Sequence, residues 1–132
     1  MVATTFRLLP ATAALVLMAA PALAGPPVVG SDHTFLDPVF RGTIFCDTLT
    51  EVRSIAEAES PDDAYANYYL TTNERDEPMC MAIAPTARVV DVVPLGVMEK
   101  DGGNYNAWAV ETEVNGTTAF ALYLERFTLV NA

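Results

Sequence analysis

Histidine, basic side chains and cysteine are all scarce in this chain, and each scarcity removes a class of chemistry. His33 is the single histidine among 132 residues, so any Ser–His or Cys–His nucleophile–base pair would have to use that one ring. There is no Gly-rich phosphate loop, no Gly-x-Ser-x-Gly turn and no clustered set of metal ligands. An enzyme is therefore not expected, no catalytic residue or metal ligand is assigned, and no cofactor is implied. Carboxylates alone leave a hydrolase as the residual alternative. The obvious pair, Asp62-Asp63, does not serve it, because neighbours on a helix diverge by about 100° and cannot flank one bond.

Lysine and arginine number seven against seventeen aspartates and glutamates, for a net charge of −10. That balance excludes nucleic acid and anionic lipid surfaces as partners, while permitting a basic protein. Long apolar runs are also missing, with one exception at the start. Met1 to Ala24 carries Arg7, an apolar run from Ala11 to Ala20 and a small-residue exit, Ala22-Leu23-Ala24. This is the layout of a secretory signal peptide cleaved after Ala24, and it is too short and alanine-rich for a spanning helix. The expected location is periplasmic or secreted, with no membrane span in the mature form. The remaining 108 of the 132 residues make one domain, with a net charge of −11 once Arg7 is removed.

Two cysteines in an exported chain point to one structural disulfide, Cys46 to Cys80. A redox-active pair normally has a Cys-x-x-Cys spacing, which is absent. Residues 25–45 read as an irregular lead-in, and 46–132 as a single α+β domain. In the lead-in, Asp32, His33 and Asp37 offer only a weak divalent-metal arrangement, and a solvated histidine is the plainer reading.

Thr48-Leu49-Thr50-Glu51 is a capping-box pattern, followed by an apolar stripe of Leu49, Val52, Ile55 and Ala56. It predicts a helix over 48–59, with Arg53 and Glu57 paired at i,i+4. Ser60-Pro61-Asp62-Asp63 restarts a second helix over about 61–70. Its Tyr65, Tyr68 and Tyr69 share one face and cover the core, or else form an aromatic recognition patch. Residues 71–78 form a polar loop, and strands follow from about 80 to 130. Ala87–Val93 is the clearest strand, Pro94 ends it or marks an edge, and Leu95–Glu99 gives another. Asn115-Gly116 predicts a type I′ hairpin turn. A two-residue loop makes partner numbers sum to 231, so Trp108 faces Tyr123, Val110 faces Ala121 and Thr112 faces Ala119. On the opposite side Ala109 faces Leu122 and Glu111 faces Phe120. With apolar area on both faces, the hairpin suits a small curled barrel with a helix outside.

Ala87-Arg88-Val89-Val90-Asp91-Val92-Val93, Trp108-Ala109-Val110 and Asn115-Gly116-Thr117-Thr118-Ala119-Phe120 follow the strand order of bacterial SH3-like domains, which residues 86–130 resemble. The chain departs from that pattern in lacking an Arg-Ser-Gly-Pro segment and in carrying Ala119 where glycine commonly precedes the closing aromatic. It also resembles small exported bacterial proteins that pair a Cys-started helix with a β C-terminal half, a likeness that names no activity. The expected architecture is an N-terminal helical segment disulfide-clamped to a small antiparallel SH3-like β-barrel or strongly bent sheet. The resemblance implies a non-enzymatic binding module for a cell-wall component or a protein, with Trp108, Tyr123 and Phe120 as candidate ligand contacts. The alternative is an acidic inhibitor of a basic hydrolase such as a lysozyme, presenting the loop residues Glu74, Asp76 and Glu77.

Overall fold

A computed structural model describes residues 25–36 and 42–128. The expected signal peptide and Asp37 lie outside the described residues. Six strands form one antiparallel sheet: β1 (Asp32–Thr34), β2 (Thr43–Cys46), β3 (Cys80–Ile83), β4 (Thr86–Lys100), β5 (Gly103–Val114) and β6 (Thr117–Phe127). Helices α1 (Leu49–Glu57) and α2 (Pro61–Leu70) lie between β2 and β3. The strand order across the sheet is β1-β4-β5-β6-β2-β3.

Two corrections concern the first third of the chain. Residues 25–45 are not irregular throughout, since they supply β1 and β2, and all four residues of β2 are buried. The helical segment is accordingly not N-terminal, because two strands precede it. These strands are three and four residues long, too short for a period of two to register in the sequence.

Both helices start where local chemistry directs. The Glu51 carboxylate accepts from the Thr48 amide at 2.9 Å and from the Thr48 hydroxyl at 2.7 Å. Val52, Ile55 and Ala56 of α1 are buried against the sheet, and Arg53 meets Glu57 at 4.0 Å on the outside. In α2 the Ser60 hydroxyl accepts from the Asp63 amide, with Pro61 at the first helical position. Tyr65 and Tyr68 pack on the core, whereas Tyr69 stays exposed. Two of the three tyrosines thus cover the core, and Tyr69 lies on the outside with its ring 6.1 Å from that of Tyr65.

The hairpin register is the expected one along its whole length, Trp108 opposite Tyr123 and Glu111 opposite Phe120 included. Asn115 and Gly116 both have positive φ, 51° and 79°, as a type I′ turn requires. Pro94 does not end its strand. β4 runs continuously through it, with register shifts at Val89/Asp91 and Pro94/Gly96. β1 pairs with β4 only at Thr86–Arg88, so among the described residues no strand lies beside the outer side of β4 at Pro94, an edge position that tolerates proline.

Each face of the sheet is covered differently. On one, Ile44, Cys46, Met98, Ala107, Ala109 and Leu122 pack beneath Val52 and Ile55 of α1. On the other, Phe35, Phe45, Ala87, Val89, Val110 and Ala121 pack together. Phe35 follows β1 and Phe45 lies in β2, with three strands between them, yet their rings are 5.2 Å apart. A flat sheet would separate those strands by about 19 Å. The sheet is therefore curled into a half-barrel, and this second face is the inner one. The disulfide Cys46–Cys80 is present, with Cα atoms 4.1 Å apart. It joins directly opposed residues of β2 and β3 and closes the loop that carries both helices.

Candidate binding surface

β3 is the last strand in the order, and its two faces meet different fates. Cys80 faces the helices, and the Ala82 amide, turned away from β2, donates to the Tyr65 hydroxyl at 2.9 Å. That contact occupies a donor on an edge that, among the described residues, pairs with no further strand. On the inner face Met81 lies opposite Phe45 and Ile83 opposite Thr43. The curl of β1 reaches Phe45 but not β3, so Met81 and Ile83 remain 40% and 38% exposed. With Phe45, Met79 and Ala119 they line a cleft of about 400 Å³ that Asp47, Asp76 and Glu77 complete.

The acidic side of the cleft is built by Asn73. Its side-chain oxygen accepts from the amides of Arg75 and Glu77, and its side-chain nitrogen donates to Asp47 at 2.8 Å. The Asp76 amide donates to the Asn73 carbonyl, and Asp76 adopts a φ of 62°. The loop that carries Glu74, Asp76 and Glu77 is thus a folded turn fastened to the end of β2. Glu77 is partly neutralised by Arg75 at 3.0 Å, whereas Glu74, Asp76 and Asp47 have no ion-pair partner among the described residues. The Arg75 guanidinium is held above its ordinary pKa, first by its hydrogen bond to Glu77 and then by the charges of Glu77, Asp47 and Glu74. Even an exposed cation there sits in a negative field.

The three aromatic candidates are not brought together. Trp108 and Tyr123 meet on the inner face, centroids 5.9 Å apart and half-buried. Phe120 points to the opposite face and packs against the helix-covered core. The hairpin register already separates 120 from 123 by parity. His33 does not stand in an irregular segment either: it lies in β1 and is half-buried. Its ring meets the edges of Phe35 at 4.6 Å and Tyr123 at 5.9 Å. Burial lowers its pKa from the ordinary 6.5. Among the described residues no group of three His, Cys, Asp or Glu side chains is placed to hold a metal. Asp62, one of the two adjacent carboxylates, instead accepts from Lys100 at 3.0 Å, and Lys100 also reaches Asp101 at 2.9 Å. Burial pulls the Lys100 pKa down, but the hydrogen bonds to Asp101 and Asp62 outweigh it and the result is a raised value.

Sequence reasoning missed the apolar part of the cleft. The available signal was the alternation of Met79, Met81 and Ile83, which places all three on one face once β3 is known to be an edge strand. Compared with protein-family models, with curated proteins and with solved structures, the chain matches none. Among the described residues no helix is long and apolar enough to cross a membrane.

Proposed function

We propose that this is an exported, non-enzymatic binding domain that takes a basic protein partner at the β3-edge cleft, in the manner of an inhibitor of a cationic wall hydrolase. The observation that carries the reading is one juxtaposition: exposed Met81 and Ile83 beside Asp47, Asp76 and the fastened acidic loop. Apolar area supplies affinity, methionine adapts its shape to the contact, and carboxylates at the rim raise the association rate of a basic surface. The signal-peptide layout and net charge of −11 for residues 25–132 agree with an extracytoplasmic role.

A second reading follows from the paired rings of Trp108 and Tyr123. If β4, β5 and β6 are the meander of an SH3-like barrel, those aromatics would be the wall-binding contacts. One experiment separates the two readings. Residues 25–132 are titrated calorimetrically with a panel of cationic wall hydrolases, lysozyme included, at low and high salt, and sedimented with purified peptidoglycan. The first reading expects hydrolase binding that weakens at least about tenfold on raising the salt. It also expects Met81→Asp to cost about tenfold or more. Failure of every hydrolase to bind, or binding unmoved by Met81→Asp, overturns it. Salt-resistant pelleting abolished by Trp108→Ala in a folded variant would establish the second reading in its place.

A further inference from the structure

Residues 25–30, just before β1, are fastened at both ends. At Gly30 its amide donates to the Val89 carbonyl of β4 at 2.8 Å, while Pro27 is buried between. At the other end the Gly25 amide donates to Glu125 Oε2 of β6 at 2.7 Å, in a half-buried setting across a hundred residues of sequence. The arm 25–30 therefore bridges β6 and β4. Glu125 has no lysine or arginine ion-pair partner among the described residues. A carboxylate receiving a single neutral amide is an acceptor with capacity to spare.

Gly25 is also the residue that follows Ala22-Leu23-Ala24, the small-residue exit of the expected signal peptide. Hydrolysis of the Ala24–Gly25 peptide bond adds water across it: the carboxylate leaves with Ala24, and Gly25 keeps an amino group that is protonated at neutral pH. The nitrogen already within 2.7 Å of Glu125 would then carry a positive charge. We propose that cleavage after Ala24 turns the Gly25–Glu125 hydrogen bond into an ammonium–carboxylate ion pair, so that Glu125 is a receptor for the processed N-terminus. The chain is then fastened to β6 more strongly after processing than before it. Charge-assisted hydrogen bonds are stronger than neutral ones, which gives the step its direction. The inference rests on the signal-peptide reading and is independent of the β3 cleft.

The test begins with the mass of the exported chain. A first residue other than Gly25 overturns the proposal at once, and separates failure of the cleavage reading from failure of the pairing. With Gly25 first, urea unfolding compares this chain with one retaining Pro21–Ala24, which keeps the Gly25 amide but moves the charge away. Both are made with Glu125 and with Glu125→Gln. The expected result is a two- to fivefold larger unfolding constant, to order of magnitude, for the extended chain in the Glu125 background alone. Equal differences in both backgrounds, or none in either, overturn it. A second measurement needs no variant: about 0.5 M NaCl should remove most of the difference between the two starts, and a difference undiminished by salt overturns the ion pair.

Discussion

Glu51 shows how much one side chain can decide. It is a buried carboxylate, 6% exposed, and it is tolerated because the Thr48 amide and hydroxyl both donate to it at the start of α1. Removing the side chain leaves the amide without its partner and the helix without its cap. Glu51→Ala should therefore lower stability by about 1–2 kcal/mol in urea unfolding. Glu51→Gln, which can still accept, should lose less. Equal stability of Glu51→Ala and wild type would show that the cap contributes nothing. This site was legible in the sequence because a capping box spans four residues and needs no distant partner. Asn73 was not, since its role arises from Asp47, which lies 26 residues earlier and is brought near only by the fold. Phe120 is a candidate contact together with Trp108 and Tyr123 only through the family resemblance, since the hairpin register already puts it on the opposite face.

Among the elements, those set by local rules were legible and those set by pairing were not. Thr48–Glu51, Ser60-Pro61 and Asn115-Gly116 fixed two helix starts and one turn. By contrast β1 and β2 exist because of what they pair with: β1 meets β4 only over Thr86–Arg88, and β2 is enclosed between β6 and β3. In the sequence Pro94 fits a strand end or an edge equally, and only the pairing of β4, which among the described residues has no strand beside it there, decides for the edge. The disulfide acts at this scale. Cys46 and Cys80 are 34 residues apart, and the loop they close carries α1, α2 and the acidic turn. The chain-entropy relation gives at most about 3–4 kcal/mol for such a loop. The double variant Cys46→Ala/Cys80→Ala should lose up to that amount. Amide exchange should rise first in β3 and α2, which contact few other elements, before it rises in the longer β4–β5–β6 meander. An unchanged urea midpoint would rule out a stabilising clamp.

At the level of the whole molecule the curl matters most, and the sequence carried half of it. Apolar residues on both faces of the 103–127 hairpin required cover on both sides, and α1 supplies one cover, as expected. The other comes from the chain before β2. There Phe35 reaches Phe45, and His33 reaches Tyr123 from the far end of the strand order. Closure therefore places a titratable ring inside an aromatic contact. Burial holds the folded-state pKa of His33 below 6.5, so between that lowered value and about 6.5 the unfolded chain binds a proton that the folded chain refuses. The stabilisation is complete above about 6.5 and is lost as pH falls through that window. Urea midpoints measured from pH 8 down to 5 should therefore fall more steeply for wild type than for His33→Gln. The seventeen carboxylates titrate in both proteins, so the difference between the two curves isolates the histidine. Parallel curves would remove His33 as a pH-sensitive part of the closure. A wild type losing less than the variant would mean that the ring is stabilised by its proton, and that the contact with Phe35 and Tyr123 acts as a cation site.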